Sequence, residues 1–117
     1  MDEEFRTKML IQSLILRHRG KGMAVTVKNI ATALAIQEDG GITNPITRKM
    51  ITEIIETSRL PIGSCSNGYF LITTEDELND YVKNLNSRIA GIRQRIMNVQ
   101  RAFLDFDEAG EDQRKLF

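Results

Sequence analysis

The chain has 117 residues, of which 16 are Lys or Arg and 16 are Asp or Glu, so its formal net charge at pH 7 is zero. This length fits one domain with an appended element, and the single cysteine excludes an intramolecular disulfide and a cysteine-rich zinc site. No apolar run reaches the roughly 18 residues of a membrane-spanning helix, and the acidic N-terminus is unlike a signal peptide. We therefore expect a cytoplasmic protein without a membrane partner.

The charges are unevenly distributed along the chain even though they sum to zero. Residues 83–104 contain five basic residues and no acidic residue, whereas residues 105–117 contain five acidic and two basic residues. Such segregation allows a basic face on a neutral protein, so the net charge does not exclude a nucleic-acid partner.

The first third of the chain predicts two helices separated by a short strand. A helix over 3–19 has an apolar face made of Phe5, Met9, Leu10, Leu14 and Ile15. Residues 23–25 fit a short strand that pairs with a later hairpin. Thr26 suits the N-cap of a second helix over 27–36, and the expected buried residues of that helix are Ile30, Ala33 and Leu34.

The next segment predicts a helix that leads directly into a β-hairpin. Asn44-Pro45 suits a helix start, because Asn caps free backbone N–H groups and Pro fits the first helical position. The apolar side of this helix, over 45–57, carries Ile46, Met50, Ile51, Ile54 and Ile55. Strands over 61–65 and 69–73 are joined by Asn67-Gly68, a pair that favours a tight hairpin turn.

A long helix is predicted from Thr74 onward, where Thr74 and Glu77 form a capping box. Its apolar residues alternate in steps of four and three, which defines a heptad seam: Leu78, Val82, Leu85, Ile89, Ile92, Ile96, Val99, Phe103 and Phe106. The alternative is a helix that lies on its own domain. Arg88 and Arg93 would face each other in a parallel homodimer, so we expect an antiparallel homodimer or a larger helical assembly.

The order of these elements is that of a winged helix-turn-helix, and two motifs support this interpretation. Pro61-Ile62-Gly63-Ser64 and Gly68-Tyr69-Phe70 precede a long helix with an acidic first turn. Over residues 26–104 this pattern resembles small winged-helix proteins of phages and prophages, which are similar to the DNA-binding domains of biotin-repressor type. The resemblance implies an α+β winged helix that acts in replication or transcription control in a prokaryotic host, with no enzymatic activity and no cofactor.

On this interpretation the helix over 45–57 enters a groove of duplex DNA, because Arg suits guanine edges and Lys suits phosphates. The other possibility is a solvated polar face. The expected DNA-contacting residues are Asn44, Thr47, Arg48, Lys49, Thr52, Arg59, Ser66 and Asn67. The hairpin tip lacks Lys and Arg, which predicts a weak contact there. For Arg17, Arg19, Lys21 and Lys28, phosphate contact and simple solvation are equally open.

The chain ends in Gln113-Arg114-Lys115-Leu116-Phe117, which resembles the bacterial sliding-clamp-binding motif Gln-x-x-Leu-Phe. The resemblance implies a docking tail in which Leu116 and Phe117 enter an apolar pocket while Gln113 anchors by hydrogen bonds. The acidic residues before it match no calcium-binding loop and indicate a solvated, flexible tail. The lone histidine and cysteine, His18 and Cys65, indicate structural rather than catalytic roles.

These patterns together predict a winged-helix domain over 1–73, a self-associating helix over 74–106 and an acidic tail over 107–117. The expected function is duplex DNA binding by a dimer. The alternative is a protein–protein adaptor of a replication complex, in which the long helix and the tail bind partners and DNA binding is slight. The uncharged hairpin tip favours the adaptor, and Arg48-Lys49 favours DNA binding.

Overall fold

Four α-helices and one antiparallel β-hairpin form the part of the chain that the computed structural model describes, residues 2–38 and 43–108. In chain order the elements are α1 (Glu3–Leu16), a 3-10 turn (Lys21–Met23), α2 (Val27–Ala33), α3 (Pro45–Ser58), β1 (Ile62–Cys65), β2 (Gly68–Leu71) and α4 (Glu75–Glu108). The chain divides into two units, one that ends at Tyr81 and one that begins at Val82. The predicted α+β class is confirmed at this level.

The core of the first unit is formed by α1, α2, α3 and the hairpin. Its buried side chains are mostly β-branched, and they have few rotamers to lose when the core packs: Ile11, Ile15, Val25, Val27, Ile30, Ile51, Ile54 and Ile62. Phe70 and Leu71 of β2 are also buried. A small, rigid core of this kind fixes the orientation of the helices around it.

The first helix uses a narrower apolar stripe than the sequence predicted. Ile11, which the prediction omitted, and Ile15 are fully buried one turn apart. Three residues of the predicted face are about half-exposed instead: Phe5, Met9 and Leu10. The elements that α1 contacts are α3 and β2, and these contacts leave the three residues partly exposed to solvent.

The first helix also ends at Leu16 rather than at residue 19. The chain leaves the helix in order to pair with β2: the N–H of Leu71 donates to the carbonyl oxygen of His18, and the N–H of Gly20 donates to that of Leu71, both at 2.8 Å. These backbone bonds replace the helical bonds that a longer α1 would have made.

The strand predicted over 23–25 is reduced to a single bridge at Val25. The N–H of Val25 donates to the carbonyl oxygen of Tyr69, and the N–H of Tyr69 donates to that of Val25, both at 2.8 Å. Among the described residues the sheet therefore contains only β1 and β2. This bridge nevertheless ties the hairpin to the residue just before the N-cap of α2.

The predicted cap of the second helix is confirmed, but its predicted end and its buried face are partly wrong. The hydroxyl of Thr26 accepts from the N–H of Asn29 at 3.1 Å. The helix ends at Ala33 rather than at residue 36, since Ala35 adopts a φ of 50°. On the face of this helix Ala31 is buried, whereas the predicted Ala33 is exposed.

The predicted hairpin is confirmed, although its turn lies one residue earlier than expected. Cys65 pairs with Gly68, so the loop consists of Ser66 and Asn67, and neither has a positive φ. Gly68 itself has a φ of +117°, and an added Cβ would overlap the carbonyl oxygen of Val25. Only glycine satisfies both the backbone conformation and this close approach.

We expect Gly68→Ala to destabilise the protein by more than about 2 kcal/mol, because it combines an unfavourable φ with a backbone clash. The same substitution at Gly91 should stabilise α4 by about 0.5–1 kcal/mol, since nothing lies within 4 Å of an added Cβ there. Denaturant unfolding followed by circular dichroism measures both. Equal effects of the two substitutions would contradict the role assigned to Gly68.

The start of α4 is held by a carboxylate that also contacts an earlier turn. The hydroxyl of Thr74 accepts from the N–H of Glu77 at 3.1 Å, as a capping box requires. The Glu77 carboxylate, however, accepts from the N–H of Thr73 at 3.0 Å and from the N–H of Lys21 at 2.7 Å. The hydrogen bonds from Thr73 and Lys21 hold the pKa of Glu77 below its ordinary value.

Glu77→Gln should lower the melting temperature at neutral pH, because the carboxylate form accepts these hydrogen bonds. A depressed pKa in the folded state gives stabilisation that is complete above the ordinary glutamate pKa and is lost as the pH falls through the folded value. The difference from wild type should therefore shrink in acid. Glu75→Gln, an exposed change in the same turn, is the control. A difference that is independent of pH would contradict the assignment.

Candidate nucleic-acid interface

Helix α3 is the second helix of a pair, and the core determines which of its sides faces solvent. It begins at Pro45 and ends at Ser58, within one residue of the predicted span, and contacts both α1 and α2. Ile51 and Ile54 are buried one turn apart on the inner side. Because successive residues of a helix are about 100° apart, these two positions fix the direction of every other α3 side chain.

The N-terminus of α3 is capped by Glu38, so the prediction that Asn44 caps this helix is wrong. One Glu38 oxygen accepts from the N–H of Ile46 at 2.8 Å, and the other accepts from the N–H of Thr47 at 3.0 Å. Asn44 adopts a left-handed conformation and makes no side-chain capping bond. A capping side chain normally extends from a β-region backbone, whereas Asn here serves as a residue that tolerates the left-handed region.

The Glu38 carboxylate is also the partner of a buried hydroxyl. Thr47 Oγ1 donates to Glu38 Oε2 at 2.6 Å, which is short enough for a charge-assisted bond. Desolvation raises the pKa of Glu38, but the hydrogen bonds from Thr47 and Ile46 outweigh it and leave the pKa below its ordinary value. The ionised form of Glu38 is thus the form that organises the helix start.

Thr47 is 0% exposed, which contradicts its predicted place on a DNA-contacting face. Its hydroxyl and its backbone N–H both bond to Glu38, so the side chain points into the unit. The amphipathic pattern alone assigned this threonine to the polar side. The sequence does not distinguish a threonine whose hydroxyl bonds to a carboxylate nine residues away from a threonine exposed to solvent.

The exposed side of α3 carries Arg48, Lys49 and Thr52, as predicted, together with Ile55 and Glu56. The guanidinium Nε of Arg48 donates to the carbonyl oxygen of Thr43, and the hydroxyl of Thr52 donates to the carbonyl oxygen of Arg48 at 3.0 Å. These bonds orient the two side chains along the helix start. The arrangement presents two cations and one hydroxyl on the first two turns of the helix.

The acidic residue Glu53 is neutralised by a lysine that the sequence analysis did not associate with this helix. Lys8 of α1 forms an ion pair with Glu53 and lies 3.5 Å from Glu4. The side-chain hydrogen bond from Lys8 lowers the pKa of Glu53, and the same bond raises the pKa of Lys8. Glu56 is thus the acidic side chain that remains on the exposed side of α3.

The remaining predicted DNA contacts lie at the end of α3 and at the hairpin tip. Arg59 is exposed and follows α3 with a φ of 61°, and Ser66 and Asn67 are exposed in the hairpin loop. The basic residues Arg17, Arg19, Lys21 and Lys28 are exposed too. His18 Nδ1 donates to the carbonyl oxygen of Met23 at 2.8 Å, which is a structural role, and Cys65 is a half-buried residue of β1.

Two other kinds of site find no support in the described residues. No group of three or more His, Cys, Asp and Glu side chains among them is placed to hold a metal ion. None of the described helices combines the length and apolar character that a membrane span requires. The proposed docking residues Gln113, Leu116 and Phe117 lie outside the described residues, so their role stays a prediction.

Comparisons with family models, with curated proteins and with solved structures found no match to this chain.

Removing the buried hydroxyl with Thr47→Val should cost about 1–2 kcal/mol of stability, because a hydrogen bond to a charged group is lost inside the unit. Thr52→Val removes the same hydroxyl from the exposed side and should change stability by less than about 0.5 kcal/mol. Chemical denaturation of both variants measures the two changes in the free energy of unfolding. Equal costs would mean that the Glu38–Thr47 bond does not hold α3 in place.

Proposed function

We propose that this chain is a winged-helix protein that binds duplex DNA through the exposed side of α3 and acts in phage or prokaryotic replication or transcription control. The observation that carries the proposal is the placement of Arg48 and Lys49. Both are exposed on the first turn of a helix whose opposite side is fixed in the core. The succession α2, α3, β1, β2 supports the winged-helix part of the proposal.

The hydrogen bonds at the start of α3 determine how it would contact DNA. Helix N-termini often bind a phosphate with their free N–H groups. In this chain the N–H groups of Ile46 and Thr47 already bond to Glu38, which also brings a negative charge. DNA contact therefore depends on the side chains of Arg48 and Lys49, with guanidinium contacts to base edges and ammonium contacts to phosphate.

The hairpin would add contacts of a different kind. Its loop residues Ser66 and Asn67 offer a hydroxyl and an amide but no cation. Such groups bond to phosphate oxygens or base edges without releasing additional counterions. The salt dependence of binding should consequently come from the helix and from the basic residues outside the hairpin loop.

Replacing Arg48 and Lys49 together by Ala should weaken duplex binding and reduce the slope of log affinity against log salt by about two. The variant should remain folded, because both side chains are exposed. The measurement is a fluorescence-anisotropy titration with labelled duplex DNA at several salt concentrations. Wild-type affinity that is insensitive to salt would contradict the proposed mode of binding.

The matched control for this titration is Lys83→Ala with Arg101→Ala. It removes the same two charges from exposed positions of α4 that lie outside the heptad seam. The control should bind duplex DNA as wild type does. If it loses as much affinity as the Arg48/Lys49 variant, overall charge rather than the face of α3 governs binding.

A second candidate function, a protein–protein adaptor, is favoured by the exposure of the α4 seam. Ile89 is 51% exposed, Val99 63% and Phe103 67%. Soluble proteins rarely leave so long an apolar stripe uncovered, so α4 has the character of a helix that pairs with another. The two functions are compatible, because α3 and the seam from Val82 onward belong to different units.

A further inference from the structure

Over residues 83–104 the heptad seam of α4 is bordered by arginines and by no acidic residue. With Ile89 and Ile96 at position a and Ile92 at position d, Arg88 and Arg95 occupy position g and Arg93 occupies position e. Residues 83–104 contain no Asp or Glu. In paired helices the e and g positions flank the apolar seam and set the choice of partner through their charges.

These arginines have no ion-pair partner within their own helix. A helical ion pair requires an acid three or four residues away, and none stands at that spacing from Arg88, Arg93 or Arg95. The ion pairs found among the described residues involve Lys8 instead. Three positive charges thus line the edges of an exposed apolar stripe without compensation from neighbouring side chains.

A second copy of this chain supplies no compensation in either orientation. A parallel pair places Arg88 opposite Arg93 of the second copy, and symmetry repeats that contact. The antiparallel pair expected from the sequence has full overlap when Ile89 meets Ile92 of the second copy, since every a position then faces a d position. In that register Arg88 of each copy lies opposite Arg95 of the other, so the contact occurs twice. Like charges at flanking positions are destabilising.

We infer that the α4 seam pairs with a helix of a different protein, one with apolar residues at its a and d positions and Asp or Glu at its flanking positions. This inference rests on the adaptor function proposed for α4 and is independent of DNA binding by α3. The stretch from Val82 to Phe103 is about 33 Å long at 1.5 Å per residue, so the partner helix needs at least three heptads. Charge complementarity is what selects it over a second copy.

The test uses the full chain and two synthetic helices of four heptads, identical at every position except the flanks. Both have Ile at a and Leu at d; one carries Glu and the other Lys at every e and g position. Titration calorimetry should give about tenfold or more tighter binding of the Glu peptide than of the Lys peptide. Sedimentation at the same concentration should show that the chain alone is a monomer.

A charge-reversed variant and its control identify the responsible residues. Arg88→Glu with Arg95→Glu should lose at least about tenfold in affinity for the Glu peptide and gain affinity for the Lys peptide. Lys83→Glu with Arg101→Glu changes the net charge equally at positions outside the seam and should leave the preference unchanged. All four positions are exposed, and circular dichroism verifies that each variant retains its helix content.

Three outcomes would overturn the inference, and each differs from the others. A wild-type dimer that excludes both peptides means that a second copy occupies the seam. Equal binding of the two peptides means that the flanking arginines do not select the partner. A monomer that binds neither peptide removes the adaptor function as well, while the duplex titration of the Arg48/Lys49 variant still decides DNA binding separately.

Discussion

The hydrogen bonds of the Glu38 carboxylate fix the start of α3, the helix that carries the candidate DNA-binding side. They cap the N-terminus of α3 and provide a hydrogen-bond acceptor for the buried hydroxyl of Thr47. Once Thr47 is fixed inward, the next two residues of the helix, Arg48 and Lys49, must point outward, because each step turns by about 100°. The contact between the Glu38 carboxylate and the Thr47 hydroxyl thus agrees with the buried Ile51 and Ile54 in placing the candidate DNA-binding side toward solvent.

The sequence predicted those elements that local chemistry determines. Thr26 and Thr74 act as caps, and Pro45 begins a helix, because each needs only residues within one turn. The predictions were wrong where a residue outside the local pattern determines the conformation. Glu38, which precedes Asn44 by six residues, replaces it as the cap, and the position of the hairpin turn depends on the approach of Gly68 to Val25. Such contacts join residues that are not close neighbours in sequence, and no local pattern indicates them.

Charge is distributed differently in the two units, although the chain as a whole is neutral. In the first unit, Glu53 is paired with Lys8 and Glu38 is satisfied by backbone N–H groups, so the exposed cations of α3 are left with Glu56 as an acidic neighbour. In the second unit, the arginines of residues 83–104 have no acid among them. The net charge of zero is a sum over both units, so it does not indicate either local distribution of charge.

The bridge between Val25 and Tyr69 also constrains the order in which the molecule acquires its structure. Helical contacts form between near neighbours and therefore form early, whereas this bridge must close a long loop before its bonds are gained. During synthesis the hairpin cannot dock until β2 has been made, and α4 is made after it. The apolar stripe of α4 beyond Tyr81 is consequently made after the hairpin, so the first unit can fold before that stripe is available to any other chain.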